Sequence, residues 1–264
     1  MNAMSLDHDD NIVKHQTPTR DAFLGGRLFI AQPRKGFRAG LDSVLLGASA
    51  RRADGSLLDL GSGVGTAALV ALAHNPTIVA TLADNDPEML ALAEQNIAAN
   101  GFAARARTAL ADATASAAVR RAAGHLPNAH ATVIANPPFF ATGRGTVSGE
   151  RGRAAARHMD VAGLDQWVRT AVGCGTADGE VIFVLPAESL GLLLAAFEAR
   201  LGAVTVLPLS PRPGLPASRV FVRGIKQSRA PLTVLANRPV HGAEGNGFSP
   251  EIEPVLRGEQ RFVW

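Results

Sequence analysis

Tyrosine is absent from this chain of 264 residues, and aromatic residues make up only 5 % of it. Any ring stacked on a ligand must therefore come from phenylalanine or tryptophan. Cysteine is almost absent too. The single Cys174 excludes an intramolecular disulfide and a cysteine-based zinc site, and its apolar surroundings read as those of a buried structural thiol. Long apolar runs are missing: residues 181–185 and 190–197 are too short, or too interrupted by Gly191, to span a bilayer. Residues 1–20 carry Asp7, His8, Asp9, Asp10 and Asn11 where a signal peptide needs an apolar core. These absences predict no transmembrane helix, no metal site, a cytoplasmic protein and a mobile tail over residues 1–22.

Lysine is scarce as well, since 23 of the 26 basic residues are arginine, whose planar fork suits phosphate better than an ammonium does. Arg27, Arg34, Lys35 and Arg38 precede a glycine-rich motif, and Arg144, Arg151, Arg153 and Arg157 with His158 follow Phe140. Such flanks are expected of a polyanionic partner held through its phosphates, although a biased composition with arginine replacing lysine gives the same count.

From Ser56 onward, short apolar runs alternate with longer alanine-rich segments of helical period, the pattern of βαβ units. Strands are expected at 56–60, 77–83, 105–110, 131–135, 179–185, 203–209 and 218–225. Helices are expected after Gly65 and at 114–123, 164–172 and 187–201, with Gly202 as the stop of the last. Asp86-Pro87-Glu88 supplies a cap, a first-turn proline and a first-turn acid for another helix, closed by Gly101. The fold class is α/β, a Rossmann-like doubly wound sheet of seven strands, mostly parallel with an antiparallel last strand. Residues 23–55 read as a strand and helix forming a lid segment, with Asp42 as a helix cap. Residues 56–230 form the main domain, and 231–264 an extension packed on it, with a final helix capped by Ser249 and carrying Pro250 in its first turn.

Ligands of open α/β sheets bind beyond the carboxyl ends of the strands. Gly61, Asp84, Asp112 and Asn136 each follow a strand, at separations of 23, 28 and 24 residues, and so are expected around one crevice. Gly61, Gly63 and Gly65 allow a tight turn and a close approach of the backbone to a ligand. Their third glycine falls one residue early for a dinucleotide motif. Asp84, followed by Asn85, is placed to accept from ribose hydroxyls. Asp112 is placed to accept from an adenine amine, or else to cap the next helix. Asn136 and the Pro137 carbonyl present two acceptors in one plane, because proline restricts its own dihedral and that of its neighbour. That arrangement fits an exocyclic NH2 group. Phe139, followed by Phe140, offers the stacking face.

Leu58-Asp59-Leu60-Gly61-Ser62-Gly63-Val64-Gly65 and Asn136-Pro137-Pro138-Phe139 resemble the cofactor and amino-group motifs of class I S-adenosylmethionine-dependent methyltransferases. Within that class, residues 37–48, with Gly40-Leu41-Asp42-Ser43-Val44-Leu45-Leu46-Gly47, resemble the bacterial tRNA-valine adenine-N6 methyltransferases. The resemblance implies S-adenosyl-L-methionine as cofactor, held by Asp42, Asp59, Gly61, Gly63, Gly65, Asp84, Asn85, Asp112 and Asn136. It implies catalysis by Asn136, Pro137 and Phe139. RNA, favoured as tRNA, would be held by Phe139, Phe140 and Arg144, Arg151, Arg153 and Arg157, with residues 142–158 ordering on binding. Phenylalanine in the fourth motif position is shared with rRNA guanine-N2 methyltransferases, and the Asn-Pro-Pro run with release-factor glutamine methyltransferases. Those two targets, DNA adenine and a catalytically silent RNA-binding relative stand as alternatives. Oligomeric state is open.

Overall fold

Leu57, Leu58 and Leu60 are all buried, as expected of a parallel strand covered on both faces rather than one. The computed structural model describes residues 18–35, 38–52, 55–122, 127–138 and 161–264. In it that strand, β3 (Ser56–Leu60), is central. The chain begins with a hairpin, β1 (Thr19–Phe23) and β2 (Leu28–Gln32), and helix α1 (Leu41–Ala48). After β3 come α2 (Thr66–His74), β4 (Val79–Asp84), α3 (Pro87–Ala99), β5 (Ala106–Leu110), α4 (Ala117–Ala122) and β6 (His130–Ala135). Then follow α5 (Val161–Cys174), β7 (Gly175–Pro186), α6 (Leu190–Glu198), β8 (Leu201–Ser210) and β9 (Arg219–Lys226). Two-residue strands β10 (Thr233–Val234) and β11 (Arg238–Pro239) and a short helix α7 (Glu253–Leu256) end the described chain.

The main sheet runs β5-β4-β3-β6-β7-β9-β8, with β9 antiparallel to both neighbours and β10 and β11 added along β8. The seven expected strands are there, and the two short ones extend the edge. One face buries Leu57, Ile134, Ile182, Leu207 and Phe221 under α1, α2, α3 and the segment bearing Phe262 and Trp264. The other buries Leu58, Leu60, Val133, Phe183 and Val222 under α5 and α6. Order reverses between β3 and β6, so the chain's path leaves a crevice at their carboxyl ends.

Several expectations shift. β1 begins inside the stretch assigned to the tail and runs one residue past it, and its polar Arg20 and Asp21 hide the strand because they sit on an edge hairpin. Helix α6 stops at Glu198, and Leu201 and Gly202 already pair with Lys226 and Ile225. The last helix starts at Glu253, with Pro254 near its start. Ser249 meets the turn ahead of it through its backbone carbonyl, which accepts from Ile252 and Glu253. Asp86 caps α3 as expected, accepting from Glu88 N at 2.8 Å, and Gly101 takes a left-handed φ of 74°.

Candidate active site

The register of the two central strands builds the site. Leu60 of β3 pairs with Ala135 of β6 and with Ala83 of β4, so Gly61 stands between Asn136 on one side and Asp84 on the other. On the next strand Leu110 pairs with Asp84, and Ala111 N donates to Asp84 O at 2.8 Å, which carries Asp112 to the same end. All four strand-end residues therefore line one edge of the sheet.

The turn itself is tightly held. Gly61 and Ser62 both donate to the Ala83 carbonyl, at 2.7 and 2.9 Å, and Gly65 N closes onto Ser62 O at 2.9 Å. Gly61 has φ 74°, and a Cβ there would overlap Trp167 Cη2, so the indole of α5 packs directly on the turn. Gly63 has φ 53° and open space where its Cβ would stand, which leaves its backbone bare toward the crevice. Asp84 Oδ2 accepts from Gly63 N at 2.7 Å and Oδ1 from Asp86 N at 3.0 Å. Burial pushes the Asp84 carboxyl up, against the lowering effect of these backbone donors.

Asp59 is on the opposite side of the turn's base, 2 % exposed, with Oδ2 accepting from Ala68 N at 3.0 Å in the first turn of α2. Burial pushes its carboxyl up to about 7; Ala68 draws it down, and the neighbouring Asp84 charge adds to the rise. Asp59 thus braces α2 beneath the turn and does not face the crevice.

Asn136 is half-buried and Pro137 buried at the end of β6, while Asn85 is exposed. Phe139, Phe140, Arg144, Arg151, Arg153 and Arg157, the residues expected to hold the target base and RNA, lie outside the described residues, as does the segment 142–158. Asp112 is exposed, and its Oδ1 accepts from Thr114 N and Thr114 Oγ1, both at 2.7 Å. It does not cap α4, whose first turn is met by Ser116 Oγ, 3.4 Å from Val119 N. Asp42 is not a cap either. Gly40 holds that position, and Asp42 Oδ2 takes Arg219 Nε of β9 at 2.9 Å, tying α1 to the far half of the sheet. Of the leading basic residues, Arg27 donates to the Gly258 carbonyl and Arg38 pairs with Asp21, so both hold the fold together.

Three contributors escaped the sequence. Trp167 looked like any apolar position of an amphipathic helix. Asn96, 1 % exposed, donates Nδ2 to Val64 O of the turn at 3.0 Å and to Ala31 O at 3.1 Å, and its Oδ1 takes Ala31 N at 2.7 Å. Thr170 Oγ1 anchors α5 on Ala113 O at 2.6 Å. The one available signal was Asn96 and Asn100 at helical spacing on a buried face.

A methionine-derived nucleoside cofactor fits these residues. Asp84, whose oxygens have lone pairs beyond those used by backbone donors, would hold its ribose hydroxyls. The open space at Gly63 would admit the chain that follows, and Ser62 Oγ is buried in the turn with no hydrogen-bond partner.

Comparison with known proteins agrees. The methyltransferase small domain family matches residues 42–163. The tRNA1(Val) (adenine(37)-N6)-methyltransferase of Actinobacillus succinogenes is 30 % identical over 211 residues, covering 79 % of this chain and 85 % of that one. The protein of the same name from Salmonella arizonae is 29 % identical, with 79 % and 89 % covered. Among solved structures, one titled a predicted O-methyltransferase from Agrobacterium tumefaciens superposes with a TM-score of 0.71 at 28 % identity, covering 84 % of this chain and 99 % of that one. A 16S rRNA N2 G1207 methyltransferase of T. thermophilus shares the fold, with a TM-score of 0.51 at 20 % identity over 82 % of this chain and 47 % of that one.

Proposed function

Since the chain belongs to the family of the tRNA1(Val) adenine-N6 methyltransferases, within the S-adenosylmethionine-dependent enzymes, we propose that it methylates N6 of an adenine in a transfer RNA. The cofactor supplies a sulfonium methyl. The observation that carries the reading is the pairing of Leu60 with Ala135, which sets the glycine turn beside the Asn-Pro-Pro turn.

Asn136 Oδ1 and the Pro137 carbonyl accept the two hydrogens of the target amine. The amine of adenine is a weak nucleophile because its lone pair is delocalised into the ring. Two coplanar acceptors draw the nitrogen toward a tetrahedral form with the lone pair free, so no strong general base is needed. The released proton leaves to water after transfer. Asp84 and the 61–65 turn position the methyl donor in line, and Trp167 walls the crevice from below. Phe139 stacks on the flipped base. The named relatives support RNA as partner, and the protein is read as cytoplasmic; among the described residues no helix is long and apolar enough to cross a membrane.

The test is incubation with labelled S-adenosylmethionine and, separately, unmodified transfer RNA, ribosomal RNA, DNA and release factor, followed by digestion. Label in N6-methyladenosine from the transfer RNA is the expected result. Label only in N2-methylguanosine or in release-factor glutamine overturns the assignment of the base and moves the target to that amine.

A further inference from the structure

Helix α3 meets the glycine turn at two points. A Cβ on Gly65 would overlap Leu82 Cδ2 and touch Ala93, and three residues along α3 Asn96 donates through Nδ2 to Val64 O at 3.0 Å. In a regular helix a carbonyl takes the N–H four residues on. Ala68 N, four residues beyond Val64, goes instead to Asp59 Oδ2 at 3.0 Å, so two side chains stand where one backbone bond would run. Asp84 holds Gly63 N at 2.7 Å, and Gly65 N closes on Ser62 O at 2.9 Å. Gly63, Val64 and Gly65 are thus each tied at a backbone atom.

Asn96 is 1 % exposed, and both ends of its amide are used. Besides Val64 O, Nδ2 donates to Ala31 O at 3.1 Å, and Oδ1 accepts from Ala31 N at 2.7 Å. One planar group therefore spans from the turn to strand β2. The next residue of that strand, Gln32, is also 1 % exposed and accepts through Oε1 from Ala39 N at 2.7 Å, just ahead of α1. Asn100 stands in contrast. It holds the same strand at Phe29 N and Phe29 O, both at 2.9 Å, and its remaining bond returns to the Asn96 main-chain oxygen at 2.8 Å.

We propose that Asn96 is a positioning residue for S-adenosylmethionine, which presets the 63–65 backbone and makes cofactor affinity and the order of the hairpin depend on each other. It acts through Val64, from behind the turn. A turn already held in its binding shape loses less conformational freedom when the ligand arrives. A displaced hairpin moves Val64 through the same amide, and linkage requires the converse, that the bound cofactor steadies Ala31. This role depends on the cofactor and not on the methyl acceptor, so failure of the adenine assignment leaves it standing.

Calorimetric titration of the full chain with S-adenosylmethionine compares the parent with Asn96→Ala and Asn100→Ala, at a temperature where circular dichroism shows each to be folded. Affinity about tenfold weaker in Asn96→Ala, the size of one lost hydrogen bond, and within about twofold of the parent in Asn100→Ala is the expected result. Unchanged affinity in Asn96→Ala, or equal loss in both variants, overturns the proposal, since a hairpin that merely loosens responds to either substitution. Should Asn96→Ala fail to fold, hydrogen exchange in the parent decides. Saturating cofactor is expected to slow exchange of Ala31 N–H at least about fivefold more than that of Phe29 N–H, because only the former is bonded to Asn96. Equal slowing of the two amides is what general stabilisation by a ligand gives, and it overturns the coupling.

Discussion

Asn136 and Asp84 flank the same glycine turn, one strand to either side, yet their chemistry separates them. Asp84 already holds the turn through Gly63 N and offers its remaining lone pairs to the cofactor. Asn136 is the residue proposed to accept from the amine. Asn136→Ala is therefore expected to lower the transfer rate by about 10²- to 10³-fold while cofactor affinity stays within about threefold, because a positioned acceptor matters most as charge develops. Asp84→Ala is expected to weaken cofactor binding by about 10- to 100-fold, the size of a lost hydrogen bond to a charged group. Calorimetry for binding and single-turnover transfer for rate decide it, and equal loss of binding in both variants sinks the division of roles. At this scale the sequence was informative wherever a residue closes a strand. It misled over helix caps: Gly40 and not Asp42 starts α1, and Ser116 and not Asp112 meets the first turn of α4. Which of several polar residues near a helix start becomes its cap depends on backbone dihedrals and side-chain direction, which spacing does not encode.

Among the elements, the N-terminal hairpin is held by an unusual pair. Asn96 of α3 and Asn100, the residue that caps the end of that helix, bond the N–H and C=O of Ala31 and of Phe29, so two side-chain amides continue the edge of β2 as a neighbouring strand would. Asn96 also holds Val64 O, which couples the hairpin to the cofactor turn. Asn96→Ala leaves buried backbone groups without partners and is expected to destabilise the fold by about 2–4 kcal/mol, with Asn100→Ala, more exposed, costing about 1 kcal/mol. Urea denaturation midpoints check this, and equal effects of the two substitutions contradict it. The hairpin escaped sequence reading because these contacts span 65 and 71 residues and because asparagine in a helix ordinarily marks a surface position. Helix α3 was legible for the opposite reason: its cap, first-turn proline and closing glycine act within a few residues of one another. The end of α6 was not, since Leu201 and Gly202 leave the helix only to pair with β9.

For the whole molecule, three buried carboxyls, Asp59, Asp84 and Glu180, are all pushed up by burial. Each binds its proton more tightly when folded, so the stability it contributes is full at low pH and falls as pH rises. For Asp59 the window runs from about 3.8, its ordinary value, to about 7. Asp59→Asn keeps an oxygen for Ala68 N and has no charge to bury. The fall in melting temperature from pH 5 to pH 8 is expected to be smaller in that variant than in the parent, though not abolished because Asp84 and Glu180 remain. Parallel curves contradict the account. The doubly wound topology behind this burial was legible as a whole, because alternating apolar runs are a global pattern. The placement of charge inside it was not, because whether a polar strand residue such as Glu180 or Arg223 meets water or another layer depends on what packs over it.

The two tryptophans lie on opposite faces of the same sheet, Trp167 against the glycine turn and Trp264 against Arg223. With no tyrosine in the chain, all near-ultraviolet emission comes from these two indoles. Replacing either one by phenylalanine leaves a single-colour optical channel into one face of the molecule, so that events at the glycine turn and around Arg223 can be watched separately without any attached dye.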